Sequence, residues 1–241
     1  MELFEEAFEK YLADYDKKDK NIELKYCHSH EVEKLMEMLA TKLGLNEEEI
    51  RIAKVIGLLH DIGRFKQATN YKKMDDAKTK SDHGHDGVIY LFDEGHIRDF
   101  IKEDKYDSII KDAIEYHNKL EIDKSVQGKN LLFTQMIRDM DKVDIFRVLV
   151  KYFKQGLDIK EISKEVRKRI ESKKPVQSKD IKTNSDYTLL YIGYIYDINF
   201  KETFEILKEK KYFQEYLNSI VTTNDSIEYL NKLKTDIEDV I

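Results

Sequence analysis

The stretch Ile52-Ala53-Lys54-Val55-Ile56-Gly57-Leu58-Leu59-His60-Asp61 sets the pattern of this chain, an apolar segment that ends in a histidine and an aspartate. It carries an imidazole and a carboxylate toward a core where neither is stable without a partner. The dipeptide alone is weak evidence, because chance produces about one such pair in a chain of this composition. A second pair, His85-Asp86, illustrates this. Its setting and the residues that could join it give His60-Asp61 the greater weight.

The composition is typical of a globular protein. Of the 241 residues, 41% are hydrophobic and 37% are charged, which is far from the composition of disordered chains. The first residues resemble neither a signal peptide nor a membrane span, so we expect a cytoplasmic protein with no membrane partner. We expect a single domain over 1–241, with a core at about 22–155 and a helical, aromatic-rich C-terminal extension at about 156–241.

Charge and cysteine content restrict the chemistry. The net charge of −6 makes nucleic-acid binding an unfavourable prediction, whereas a small anionic substrate is compatible with it. A single cysteine, Cys27, excludes an internal disulfide and a thiolate-rich zinc cluster, and fits a reducing compartment. Any metal must therefore be bound by histidine and carboxylate. The sequence leaves a homodimer open.

The apolar residues recur at spacings of three and four, and one proline with nine glycines leaves few breaks for a strand-rich fold. The sequence therefore predicts an all-α fold. One helix is predicted to stop at Gly44, and the next to begin at Asn46 and run to His60. The stretch from Arg64 to Lys80 loses this period and is predicted to be a loop over the site. A further helix is predicted to start at Ser81-Asp82.

Four polar side chains fall on the apolar faces of separate predicted helices. They are His28, His60, His117 and Asp141. His28, for example, lies four residues before Val32, and Asp141 lies four residues after Ile137. An isolated buried carboxylate is costly, so Asp141 needs a cation or a hydrogen-bond donor nearby. A metal ion would supply that charge.

Each of these residues also has a simpler explanation. A single histidine on an apolar face is more often a hydrogen-bonded core residue than a ligand, and Asp141 could pair with Arg138 or Lys142. The set of His28, His60, Asp61 and Asp141 favours metal binding, because several donors point inward from separate helices. Three further histidines, His30, His85 and His96, are interpreted as surface or outer residues.

Four local strings add to this pattern, namely His28-Ser29-His30-Glu31-Val32, His60-Asp61-Ile62-Gly63-Arg64-Phe65, Ser81-Asp82-His83-Gly84-His85-Asp86-Gly87 and Arg138-Asp139-Met140-Asp141-Lys142-Val143-Asp144. They resemble motifs of the HD-domain metal-dependent phosphohydrolase superfamily, and in particular bacterial HD proteins of unassigned substrate. The resemblance covers most of the chain. It implies a helical bundle with a metal site in its core, made by a His, a His-Asp pair and a late Asp, here His28, His60-Asp61 and Asp141.

Two further histidines, His83 and His117, stand where some subfamilies keep ligands for a second metal. If both coordinate, the set resembles the dinuclear sites of HD-GYP phosphodiesterases and of the diiron oxygenases built on this fold, with Asp61 bridging two ions. The chain lacks the Gly-Tyr-Pro stretch of the first group, so cyclic-dinucleotide hydrolysis is not implied. Binding of one ion and binding of two ions both stay open.

Together, these residues predict a metal-dependent phosphohydrolase that acts on a nucleotide or another small phosphoester. Mixed nitrogen and oxygen donors suit one or two ions of Mn, Fe, Co, Ni or Zn better than Mg. Asp61 would bind the metal and orient the attacking water, and Arg64 would reach the phosphate, with Lys142 and Lys119 as weaker candidates. For these cations the alternative is a solvated surface charge. A diiron oxygenase and a non-catalytic sensing module are the alternative functions.

Overall fold

The computed structural model describes residues 3–153, 157–222 and 224–238. Within these ranges it contains fourteen α-helices and two three-residue strands, so the prediction of an all-α fold is confirmed apart from one small strand pair. The chain divides into two compact units, Met1–Asp141 and Lys142–Ile241. The predicted core boundary near residue 155 lies outside the described residues. None of the described helices combines the length and apolar content that crossing a membrane requires.

The first unit is a set of helices around an apolar core. Its helices are α1 (Leu3–Leu12), α2 (Lys20–Lys42), α3 (Glu47–Leu59), α4 (Ile62–Tyr71), α5 (Asp76–Thr79), α6 (His83–Val88), α7 (Ile97–Phe100), α8 (Asp107–Tyr116) and the first part of α9 (Gly128–Tyr152). A short π-helical turn, Ile89–Asp93, follows α6. The apolar stripes of α2 and α3 are fully buried, as at Val32, Leu35, Ile52 and Ile56.

The turn between α2 and α3 follows the sequence signals. Gly44 adopts a φ of +70°, a conformation that glycine tolerates without strain. Asn46 caps α3, because its side chain accepts a hydrogen bond from Glu49 N while the Glu49 carboxylate accepts one from Asn46 N. The helix ends at Leu59 with His60 as its cap residue. The predicted start and end of α3 are therefore confirmed.

Two glycines allow helices to approach one another closely. At Gly57 in α3, an added Cβ atom would lie 2.8 Å from the Cα atom of Glu33 in α2. At Gly63 in α4, an added Cβ atom would overlap the His83 carbonyl oxygen and lie 2.9 Å from Gly87 N. A side chain at either position would force the helices apart. These glycines therefore permit the packing of α3 on α2 and of α4 on α6.

The predicted loop from Arg64 to Lys80 is wrong over its first half. Residues Ile62–Tyr71 form α4, and a single turn of helix, α5, follows at Asp76–Thr79. The buried face of α4 repeats every three residues, at Ile62, Phe65 and Ala68. Polar residues between these positions mask the period in the sequence. The predicted helix start at Ser81-Asp82 is confirmed, since Asp82 caps α6.

The second unit contains the rest of α9 and five more helices, α10 (Lys164–Glu171), α11 (Asn184–Ile192), α12 (Lys201–Lys210), α13 (Tyr212–Ser219) and α14 (Asn224–Glu238). Strands β1 (Leu157–Ile159) and β2 (Ile220–Thr222) pair in parallel, with Leu157 opposite Ile220. A three-residue strand is too short to show an alternating pattern, so the sequence did not predict this pair. The aromatic residues of this unit supply core packing, as where Phe146 contacts Phe213 and Tyr216.

Candidate metal centre

The six predicted metal ligands lie together in the first unit, although they come from distant parts of the chain. They form two groups, and within each group the ligand atoms lie within 4.8 Å of one another. The first group is His28, His60 and Asp141, and the second is Asp61, His83 and His117. Five of the six residues are buried, and the Asp141 side chain keeps 22% of its surface exposed. We refer to the two groups together as the metal centre.

Helix ends position four of the six side chains. His60 and Asp61 form the junction between α3 and α4, His83 begins α6, and His117 directly follows α8. The other two, His28 and Asp141, lie inside α2 and α9. At Asp61 the chain turns, with φ at −102° and ψ at 17°. This turn lets two adjacent residues serve different groups.

The donor atoms of each group converge. In the first group, His28 Nε2 lies 3.2 Å from His60 Nε2 and 3.1 Å from Asp141 Oδ1. In the second group, His83 Nε2 lies 3.0 Å from His117 Nε2. Two nitrogens that each bind one ion at about 2.0–2.1 Å, along nearly perpendicular bonds, are separated by roughly 3 Å. The nitrogen pairs therefore have a spacing that a single transition-metal ion accepts.

Asp61, a member of the second group, lies close to the histidines of both groups. Its Oδ2 lies 3.4 Å from His28 Nε2 and 3.5 Å from His60 Nε2. Its Oδ1 lies 3.3 Å from His83 Nε2 and 3.7 Å from His117 Nε2. The carboxylate thus offers one oxygen to each group, which is the arrangement expected of a bridging ligand.

Hydrogen bonds at Nδ1 fix the position of the ring proton in two histidines. His60 Nδ1 donates to the Gly57 carbonyl oxygen, and His117 Nδ1 donates to the Ile114 carbonyl oxygen, each at 2.7 Å. A carbonyl oxygen can only accept, so each ring carries a proton on Nδ1. In the neutral imidazole the Nε2 atom then keeps its lone pair for a metal.

His83 also carries a proton on Nδ1, because a carboxylate accepts a hydrogen bond there. Its Nδ1 donates to Asp76 Oδ2 at 2.6 Å. Burial lowers the pKa of His83 to about 4, so the ring is neutral near pH 7. His83 Nε2 and His117 Nε2 face each other at 3.0 Å. An ion between these two nitrogens could be bound by both, so the donor set fits a divalent metal.

Both carboxylates of the metal centre are held ionised. Burial alone would raise the pKa of Asp141, but its hydrogen bond with His28 holds the pKa well below the usual range. Burial would likewise raise the pKa of Asp61, and the positive charge of Lys25 outweighs it. The Lys25 Nζ atom lies 2.5 Å from Asp61 Oδ2. The apolar pattern does not mark Lys25 as part of the site, although its position three residues before His28 places it one helical turn away.

A polar network beside the second group was also missed. Asp76 accepts hydrogen bonds from His83 and, at 2.8 Å each, from Arg64 Nη1 and Gln67 Nε2. Arg64 Nε is buried, has no hydrogen-bond partner and lies 3.8 Å from Asp61 Oδ1. The network therefore fixes both a proposed ligand and the predicted phosphate-binding arginine. Asp76 lies in the segment without helical period, so no sequence signal marks it.

The two predicted lysines have other partners. Lys119 forms an ion pair with the carboxylate that caps α6. Lys142, the first residue of the second unit, lies 2.8 Å from Asp197 Oδ2. Arg138, an alternative partner considered for Asp141, donates to the Tyr116 carbonyl oxygen at 3.0 Å. A catalytic role for Lys142 stays a prediction.

The three histidines interpreted as outer residues belong to neither group. Each has a carboxylate partner of its own on the first unit. The pairs are His30 with Glu33 at 3.3 Å, His85 with Glu115 at 3.0 Å and His96 with Asp99 at 3.2 Å. The second His-Asp dipeptide therefore contributes no ligand to the metal centre.

Comparison with known proteins identifies the family. The sequence model of the HD domain matches residues 26–174, which is more than half of the chain and includes all six residues of the metal centre. No curated protein and no solved structure matches the chain. HD domains bind divalent metals and form a superfamily of metal-dependent, hydrolase-like proteins. The chain belongs to the HD-domain family.

Proposed function

We propose that this protein is a metal-dependent phosphohydrolase that acts on a nucleotide or another small phosphoester. The observation that carries the proposal is Asp61, whose two oxygens face two separate groups of histidines. A carboxylate shared in this way suits a pair of ions, and two-metal sites are common in enzymes that hydrolyse phosphoesters.

The donors also bear on the choice of metal. Imidazole nitrogens combined with carboxylate oxygens favour Mn, Fe, Co, Ni or Zn, whereas Mg prefers oxygen ligands. His28, His60, Asp141 and Asp61 would hold one ion, and Asp61, His83 and His117 would hold a second. The second group has fewer protein donors, so it leaves more positions open to water or substrate.

Residues around the ions have separate tasks in this proposal. A divalent metal, when bound, would supply a water that ionises near neutral pH. The metal would also neutralise negative charge on the phosphoryl group. Asp61 accepts a hydrogen bond from the attacking water and orients it. Arg64, held by Asp76 and Gln67, presents its buried Nε–H to the phosphate. Asp76 keeps the His83 proton on Nδ1, so that Nε2 stays available to the metal.

Metal analysis combined with an activity assay tests the proposal. We expect the purified protein to carry stoichiometric transition metal and to hydrolyse a generic phosphoester with Mn, Ni or Co. Asp61→Ala should lose both properties. The matched control is Asp86→Ala, in the second His-Asp pair, which should lose neither. A wild type that carries no stoichiometric metal and stays inert with all three metals would refute the proposed function.

A diiron oxygenase is the second candidate, because the second group supplies three donors beside the first. It requires two iron ions per chain and oxygen uptake with an organic phosphonate or a polyol. Iron at one ion per chain or below, or no oxygen uptake with either substrate class, argues against it. The same metal analysis therefore separates the two candidates.

A further inference from the structure

Lys25 is attached to the metal centre through the shared carboxylate. Its Nζ atom lies 2.5 Å from Asp61 Oδ2, and its side chain keeps 16% of its surface exposed. It lies in α2, three residues before His28, so its ammonium group reaches the metal centre from the side of the first group. An ammonium has three N–H donors, and this contact uses one of them. Lys25 therefore has donors left for a ligand that enters from solvent.

The other cations considered for the phosphate have partners outside the six residues of the metal centre. Arg64 Nη1 donates to Asp76 and Gln67, although its Nε also lies 3.8 Å from Asp61 Oδ1. Lys119 pairs with Asp82, the N-cap residue of α6, and Lys142 pairs with Asp197. The partner of Lys25 is itself a proposed ligand. A bound metal would neutralise the charge on Asp61 and so weaken its hold on Lys25.

The net charge of the metal centre changes sign when a metal binds. A histidine binds a metal as the neutral imidazole, so the charges that count are the carboxylates of Asp61 and Asp141 and the ammonium of Lys25, which together leave one negative charge. One divalent ion makes the total positive, and a second ion makes it more so. An anionic phosphate is then attracted to the metal centre, and an ammonium beside it is a suitable hydrogen-bond donor.

We propose that Lys25 is a phosphate-binding residue, which transfers its hydrogen bond from Asp61 to a phosphoryl oxygen at the metal-loaded centre. This inference rests on the proposed function. It places one cation on each side of the shared carboxylate, Lys25 beside Oδ2 and Arg64 beside Oδ1. The substrate class that it specifies carries a phosphate with at least two free anionic oxygens.

Calorimetry with Mn²⁺ and inorganic phosphate tests this role without turnover. We expect Lys25→Met to bind Mn²⁺ at least as tightly as the wild type, because the substitution removes a cation beside the metal. Phosphate affinity of the Mn²⁺-loaded variant should fall by about tenfold or more, as when a hydrogen bond to a charged group is lost. Lys25→Arg keeps the charge and should recover much of the phosphate affinity.

Lys54→Met is the matched control. The Lys54 side chain is also 16% exposed and lies 3.8 Å from a buried carboxylate, that of Glu33, so its removal likewise takes a cation away from a buried carboxylate of the first unit. It should change neither Mn²⁺ nor phosphate affinity. A similar loss of phosphate affinity in this control would show that the effect is not specific to the metal centre.

Three results would overturn the role of Lys25. They are equal phosphate affinity in the wild type and Lys25→Met, loss of Mn²⁺ binding in Lys25→Met, and absence of phosphate binding by the loaded wild type. Loss of Mn²⁺ binding would make Lys25 a structural partner of Asp61. Hydrolysis of a phosphoester by the wild type tests the proposed function separately. If Lys25→Met hydrolyses the phosphoester with an unchanged KM, the phosphate-binding role of Lys25 is refuted, whereas the proposed phosphohydrolase activity still stands.

Discussion

The metal centre of the first unit and Asp186 of the second unit are both buried and polar, but they differ in what surrounds their acceptors. The Asp186 carboxylate accepts hydrogen bonds from Ser163 N and Oγ at 2.9 and 2.6 Å, and from Lys182 N and Thr183 N at 2.8 and 3.0 Å. Each of these partners is a donor. In the metal centre, two imidazole nitrogens, His83 Nε2 and His117 Nε2, face each other at 3.0 Å.

The comparison shows that the type of partner separates a structural polar cluster from a functional one. A lowered pKa does not, because burial is outweighed at both Asp186 and Asp61. At Asp186 the carboxylate is satisfied by the chain itself and stabilises the fold. At Asp61, the ammonium of Lys25 and four imidazole nitrogens surround the two oxygens, and these nitrogens are the atoms that a metal ion would join to the carboxylate. Exchanging a carboxylate for an amide should therefore have opposite consequences in the two places.

The largest effect is expected for Asp141→Asn in the metal centre. The amide oxygen can still accept a hydrogen bond from His28 Nε2, which lies 3.1 Å from Asp141 Oδ1. We expect metal affinity to fall more than about 100-fold, beyond the loss typical of changes outside the ligand set. The free energy of unfolding in chelator should stay within about 1 kcal/mol of the wild type. Equilibrium dialysis and urea unfolding measure the two quantities. If the variant binds metal normally but is destabilised, Asp141 has a structural role like that of Asp186.

Asp186→Asn should show the reverse. Its amide nitrogen would face backbone N–H groups, so the second unit should lose about 1.5–3 kcal/mol of stability, as when a hydrogen bond to a charged group is removed. Urea unfolding measures this loss. Metal affinity should stay at the wild-type value, and a fall in it would contradict the assignment of Asp186 to a structural role.

Asp76→Asn should have an intermediate effect on the metal centre. The amide is a weaker acceptor for His83 Nδ1, so we expect metal affinity to fall about 10–100-fold, the range typical of residues that orient a ligand. Competition with a chelator measures the change. The control is Asp75→Asn, which alters the neighbouring exposed carboxylate and keeps an N-cap residue for α5. An equal loss in both variants would exclude a specific role for Asp76.

The smallest effect is expected in the acid dependence of stability. Burial alone would raise the pKa of Asp186, but hydrogen bonds from Ser163 and from backbone N–H groups hold it below its ordinary value of 3.8. The carboxylate therefore stabilises the fold above that value, and this contribution is lost as the pH falls through the lowered pKa. The stability difference between the wild type and Asp186→Asn should narrow below pH 3.8, as measured by urea unfolding over a pH series. A difference that widens in acid would contradict this sign.

The sequence predicts the donors of the metal centre better than the residues around them. His28 and Asp141 could be found because helical periodicity places them on apolar faces. Asp76 could not, since its role depends on how α5 folds back toward His83, and the helix before it is masked by polar residues. The strand pair of the second unit was missed because its segments are distant in sequence and only three residues long.

Gly63 has a consequence for how many ions the protein can hold. Because it has no side chain, α4 lies against α6, and Asp61 at the start of α4 comes within 3.3 Å of His83. A methyl group at this position would displace the His83 backbone and lengthen the distances of the second group. The donors of the first group other than Asp61 lie outside this contact. For a centre that holds one ion at each group, a methyl group at this position would weaken the site of the second ion, so the number of bound ions would depend on a residue that offers no ligand atom.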